Sequence, residues 1–185
     1  TGTGNAYTIT LDNDDAATIA ELVTINAATT GAITLNALTI AANYEDTAAN
    51  LVLAFAGITT HTGTLTVSGA AATVAQANIL DAVTTGVITE VLATDTATNL
   101  ATLTGTNNAY TITINNDETA TITQLKAINA ATTGAITLNT STIAANYSDT
   151  VANLTSAFAG ITTHTGTLTA TGTAPTVAQA NVLDA

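Results

Sequence analysis

Sliding the chain on itself by 103 residues superimposes NAYTIT at 5–10 on 108–113, TTGAITLN at 29–36 on 132–139, and TVAQAN at 73–78 on 176–181. Residues 5–82 match residues 108–185 at 59 of 78 positions without a gap. A duplication this close leaves little freedom to the fold: whatever the first copy forms, the second must form too, and tandem units usually bury their apolar faces on one another. The expected organisation is a first long unit over 1–107 and a second, incomplete copy over 108–185, joined as one continuous array. The opening TGTGNAY carries neither an initiator Met nor a charged-then-apolar leader, so the chain reads as a fragment or a processed piece.

A shorter period lies inside. DTAANL at 46–51, DTATNL at 95–100 and DTVANL at 149–154 divide the unit, and brief alternating segments divide it again. The central apolar residues Ile9, Ile33, Leu65, Ile88, Ile112, Ile136 and Leu168 are spaced by 24, 32, 23, 24, 24 and 32. Alternation predicts strands at 7–11, 32–36, 64–67, 87–91, 109–114, 135–138 and 166–169. Segments with helical spacing lie between them. DTAANLVLAFAG offers Asp46 as cap, Ala49, Leu51, Leu53 and Phe55 as a stripe, and Gly57 as stop. ATVAQANILDAVTTG offers Val74, Ala77, Ile79, Leu80 and Val83 before Gly86, and DETATITQLKAINAATTG offers Ile122, Leu125 and Ile128 before Gly134, with Asp117 as cap. One strand and one helix per 23 to 32 residues predicts an α/β protein, a parallel β/α solenoid with helical crossovers. The alternative is an all-β solenoid or sandwich array.

The strand register aligns a column of hydroxyls, Thr10, Thr34, Thr66, Thr89, Thr113, Thr137 and Thr169, expected to point away from the helices. The inward column reads Leu11, Leu35, Val67, Glu90, Ile114, Leu138 and Ala170. Glu90 breaks it without a reason visible in the sequence. Aromatics make up 3% of residues and Trp and Met are absent, which favours a thin, layered core over a broad one.

Net charge is −12 with a single basic side chain, Lys126, so a phosphate backbone would be repelled; nucleic acid is not an expected partner. No apolar run reaches the length of a membrane helix, so membrane insertion is not expected either. Cysteine is absent, which removes disulfides and thiolate metal sites. His61 and His164 each sit in GITTHTGTLT with no acid or second His at ligand spacing, and read as hydrogen-bonded loop residues copied with their surroundings. Asp46, Asp95 and Asp149 read as helix caps. DNDD at 12–15 and NNDE at 115–118 read as turns, with a calcium site through Asp12, Asp14 and Asp117 as the alternative; no other cofactor is expected. Ser68 becomes Thr171 in the second copy, and no nucleophile, base and acid share a motif, so no catalytic residue is expected and the chain does not read as an enzyme. The sequons at Asn139, Asn146 and Asn153 occur only in the second copy and read as accidental, while the Thr-rich surface leaves surface glycans as an open partner class.

DTAANL, TVAQANILDA, ATTGAITL and THTGTLTV resemble the Thr/Ala-rich tandem repeats of very large bacterial cell-surface and adhesin-like proteins, notably cyanobacterial ones. The resemblance covers nearly the whole chain. It implies export, an extracellular or cell-surface location, and a structural role in a fibre, filament or adhesin stalk extended by stacking with other copies of itself. Thr66, Thr89 and Thr113 are the expected contact residues. The alternatives are a ligand-binding Thr array, with ice as its target, and a calcium-stabilised adhesin module.

Overall fold

The computed structural model describes residues 4–184. The chain packs as two compact units, Thr1–Val91 and Leu92–Ala185. The packing boundary at 91/92 and the repeat boundary at 107/108 differ because residues 92–107 fold with the second copy.

In the first unit, β1 (Ile9–Thr10), α1 (Ile19–Ala28) and β2 (Ile33–Thr34) precede a short α2 (Ala37–Ala41), and then come β3 (Tyr44–Asp46), α3 (Ala48–Ala54), β4 (Leu65–Val67), α4 (Val74–Val83) and β5 (Ile88–Val91). The second unit opens with α5 (Ala97–Leu100). It continues through β6 (Ala109–Thr113), α6 (Ile122–Ala131), β7 (Ile136–Thr137), α7 (Thr140–Ala144), β8 (Tyr147–Thr150), α8 (Val151–Phe158), β9 (Leu168–Thr171) and α9 (Val177–Leu183). Within the units β1 pairs with β2, β3 with β4, β4 with β5, β6 with β7 and β8 with β9, all parallel. The protein is α/β, and its helices exclude the all-β alternative.

Threonine explains why so many short helices form. Thr18, Thr73, Thr121 and Thr176 each close a capping box with Glu21, Gln76, Gln124 and Gln179, satisfying two otherwise unpaired N–H groups reciprocally. Thr47, Thr96 and Thr150 cap α3, α5 and α8, where the sequence pointed to the preceding Asp. That Asp stands one residue outside: Asp46 Oδ1 accepts from Thr47 N at 2.7 Å and Asn50 Nδ2 at 2.8 Å, and Asp149 repeats the pattern with Thr150 and Asn153. Those bonds hold the Asp149 carboxyl below its usual range, Asn153 contributing most. Asp117 likewise is not the cap of α6; Thr121 is.

Two strands, β3 and β8, depart from the expected set. They split each 32-residue interval: Leu65 pairs with Tyr44 rather than Ile33, and Leu168 with Tyr147 rather than Ile136. Paired residues are therefore 21 to 24 apart (Tyr44 to Leu65, Ile9 to Ile33), not 32. Asn36 and Asn139 start α2 and α7 by accepting from Thr39 N and Thr142 N, turning the chain so that it can extend again at Tyr44 and Tyr147.

The core is thin. Leu22, Leu51, Phe55, Leu65, Leu80 and Ile88 fill the first unit; Leu100, Tyr110, Ile112, Leu125, Ile128 and Leu154 fill the second. Ala54 and Ala77 let layers approach closely. Ala48, Leu51, Ala54 and Phe55 form the buried face of the α3 segment, while Ala49, Leu53 and Ile79, expected inside, are exposed. Glycine at 63 and 86 serves close approach: a Cβ on Gly63 would overlap the Ala42 carbonyl, and one on Gly86 the Gly63 carbonyl. Gly86 is thus not a left-handed helix stop, whereas Gly57, at φ 73, is.

Candidate functional site

The most organised polar constellation holds successive turns of chain together. Asn36 Nδ2 donates to the carbonyls of Asp12 and Asp15, 2.7 Å for the latter. Thr39 Oγ1 accepts from Ala17 N at 3.0 Å, and Tyr44 Oη donates to Ala17 O at 2.7 Å. Asn26 Nδ2 reaches Ala54 O and Ala56 O. The second unit repeats each bond with the residue 103 positions on: Asn139 to Asn115 and Glu118, Ala120 N to Thr142, Tyr147 to Ala120, and Asn129 to Ala157 and Ala159. Every bond pairs a side chain with backbone 21 to 30 positions away in the sequence. Such bonds fix the register of the segments they join, because an unpaired buried amide or hydroxyl is costly.

His61 belongs to this set. It is fully buried, Nε2 donates to Ala42 O at 2.9 Å, and Nδ1 lies 3.0 Å from Thr84 Oγ1. Phe55 and Tyr44 flank the ring at centroid distances of 4.8 and 5.6 Å. Burial holds its pKa below the ordinary value, so the ring is a neutral hydrogen-bonding core group. His164 keeps the Ala145 carbonyl at 3.0 Å and the flanking Phe158 and Tyr147.

At the DNDD turn the side chains of Asp12, Asp14 and Asp15 are exposed, and the backbone of Asp12 and Asp15 is what Asn36 engages. In the second copy Asn115 Nδ2 donates to Asp117 Oδ2 at 2.7 Å. Among the described residues no three His, Asp or Glu converge as a metal-binding group. Asn139, inside a sequon, is buried with its amide engaged, while Asn146 is exposed and accepts from Thr167 N.

The hydroxyl column is interrupted. Thr10 pairs with Thr34, Thr66 with Thr89 and Thr113 with Thr137, but the other neighbour of Thr66 is Glu45, and Thr169 faces Ser148. Thr89 is exposed; Thr66 and Thr113 are half-buried. The Asn, Thr and Tyr clasps are absent from the sequence-based expectations, although their identity in both copies was the available signal.

Glu90 lies in β5 on the inward side with Ile88. It is 3% exposed, neither carboxylate oxygen has a hydrogen-bond partner, and burial raises its pKa to about 7. Among the described residues no helix is long and apolar enough to cross a membrane. No protein-family model, curated protein or solved structure matches the chain.

Proposed function

We propose that this chain is a structural repeat module: a parallel β/α solenoid that extends a cell-surface or extracellular fibre, filament or adhesin stalk by stacking turns and associating with other copies of itself. The observation that carries this reading is the clasp set. Asn26, Asn36, Thr39 and Tyr44 spend their polar atoms on joining turns, and Asn129, Asn139, Thr142 and Tyr147 do the same in the second copy. Polar side chains used in this way are consumed by architecture rather than left free for chemistry, which supports a non-enzymatic role. The acidic surface and the absence of cysteine suit an exported array. A Thr array for ice has less support, because Glu45 stands beside Thr66.

Sedimentation across a concentration series, with electron microscopy of the same samples, tests the proposal. Ordered oligomers or filaments are expected, with exposed Thr89 or the strand edges at the contact. A monodisperse monomer at high concentration and high salt overturns it.

A further inference from the structure

The two copies differ in what lies over the same face. In the second unit the segment Leu92–Leu100 runs along the side of β6 opposite β7: Leu92 N donates to Thr111 O at 3.0 Å, Asp95 N to Thr113 O at 3.3 Å, and Asn115 N to Asp95 O at 2.8 Å. Asp95 bridges Ile114 in parallel. The segment then coils into α5, whose Ala97 and Leu100 are fully buried. Thr98 is held three ways: its N and Oγ1 donate to the Glu118 carboxylate at 2.7 and 3.0 Å, and its Oγ1 accepts from Gln124 Nε2 at 2.9 Å. Ile114 and Ile128 consequently retain 2% and 0% exposure.

In the first unit the counterparts of Ile114, Glu118, Gln124 and Ile128 are Leu11, Asp15, Glu21 and Ile25. They line an open groove of about 400 Å³, and Leu11 and Ile25 are only half-buried. β1 is the edge of its sheet: Ile9 N and Leu11 N donate to β2, so alternation turns the backbone of Thr8 and Thr10 and the N–H of Asp12 to the open side, the Asp12 carbonyl being taken by Asn36. The turn leading into each strand is built alike, with Gly4 at φ 71 and Asn107 at φ 60.

We infer that the groove between β1 and α1 is a docking site for a segment of the Leu92–Leu103 kind from a neighbouring repeat, added as a parallel strand with its Leu100 counterpart in the groove. The inference rests on the stacking proposed above and names its joint. Main-chain bonds to the β1 edge supply affinity, and the apolar groove with two acceptors supplies register. One pairing must adjust. Glu21 has no amide to offer the incoming Thr, and its Oε2 already accepts from Thr18, so the Thr hydroxyl can donate to only one of Glu21 and Asp15.

The test is a chain in which residues 92–103 are repeated directly ahead of Thr1, which reproduces the second copy's spacing and raises the effective concentration of the segment. Hydrogen exchange is read at dilute, monomeric concentration. The Asp12 amide is expected to slow by about ten-fold or more relative to the unextended chain. An added segment with Asp at the Thr98 and Leu100 counterparts is expected to give no slowing. Glu21→Gln, which restores the second copy's amide, is expected to deepen the protection. Equal exchange with and without the added segment, or equal protection by the intact and Asp-substituted segments, overturns the inference. A chain that forms filaments but leaves Asp12 unprotected breaks only the docking site; one that is protected yet never self-associates breaks only the assembly proposal.

Discussion

Helices α4 and α9 share the sequence T-V-A-Q-A-N and the same capping box, yet α4 buries Val74, Ala77, Leu80 and Val83 while α9 buries none of its residues. Val74 is 4% exposed and its counterpart Val177 is 79% exposed. The cap depends on four consecutive residues and forms wherever they occur. Burial depends on neighbours: α4 packs against α3 and is followed by β5, which pairs with β4, whereas α9 packs against α8 and follows the two-stranded β8–β9 sheet. A helix can therefore be fully specified by its own sequence and still contribute little to stability, because most of a helix's stability comes from the face it packs.

The sharpest way to break this comparison is to truncate the same leucine twice. Leu80→Ala removes a fully buried side chain and is expected to cost about 4 kcal/mol in urea unfolding of the first unit. Leu183→Ala, in a half-exposed counterpart, is expected to cost under about 0.5 kcal/mol. Equal losses would show that α9 is packed as tightly as α4.

Next comes Glu90, in the strand that follows α4. Its folded pKa is raised from 4.5 to about 7, so the folded state binds the proton more tightly than the unfolded chain. The contribution of Glu90 to stability is then greatest below pH 4.5, declines as pH rises from 4.5 to about 7, and is lowest above that. Glu90→Leu is expected to gain about 3 kcal/mol at pH 8 and little at pH 4. A gain that does not vary with pH would place the carboxylate in water.

Caps should separate the helices more gently. Thr73→Ala is expected to cost about 1 kcal/mol, detected as a lower midpoint. Thr176→Ala is expected to fray α9, with faster amide exchange there and an unchanged midpoint.

The smallest effect concerns His61. Its folded pKa is lowered from 6.5, so as pH falls below 6.5 the unfolded chain takes up the proton first and the first unit loses stability. A Glu90→Leu chain, free of the opposing carboxylate, should show this as a falling midpoint between pH 6.5 and 5. A flat profile there would mean that the buried ring accepts its proton without penalty.

How legible all this is depends on the range of the physics involved. Alternation locates seven strands, because Ile and Thr at period two are a local pattern. β3 and β8 stay hidden because Asn-Tyr-Glu-Asp and Asn-Tyr-Ser-Asp carry no apolar alternation, and only pairing with Leu65 and Leu168 makes them strands. Asp reads as the cap where Thr caps and Asp braces it, two roles one residue apart that composition alone does not separate. Gly86 reads as a helix stop because the carbonyl it must clear belongs to a residue 23 positions back along the chain. The surroundings of His61, with Phe55 and Tyr44 on the ring and Thr84 at Nδ1, depend on three separate segments meeting.

Asn36 and Asn139 carry a consequence on the timescale of ageing rather than folding. Each uses one amide nitrogen to serve two backbone carbonyls while its oxygen starts a helix. Slow loss of ammonia would replace that nitrogen with a carboxylate oxygen facing two carbonyl oxygens, turning a double attraction into a double repulsion. Burial shelters both amides, so the damage has to begin during a local opening. The service life of the fold is then governed by how seldom those two segments open, and Asn36 and Asn139, at the same place in the two copies, set where it wears out.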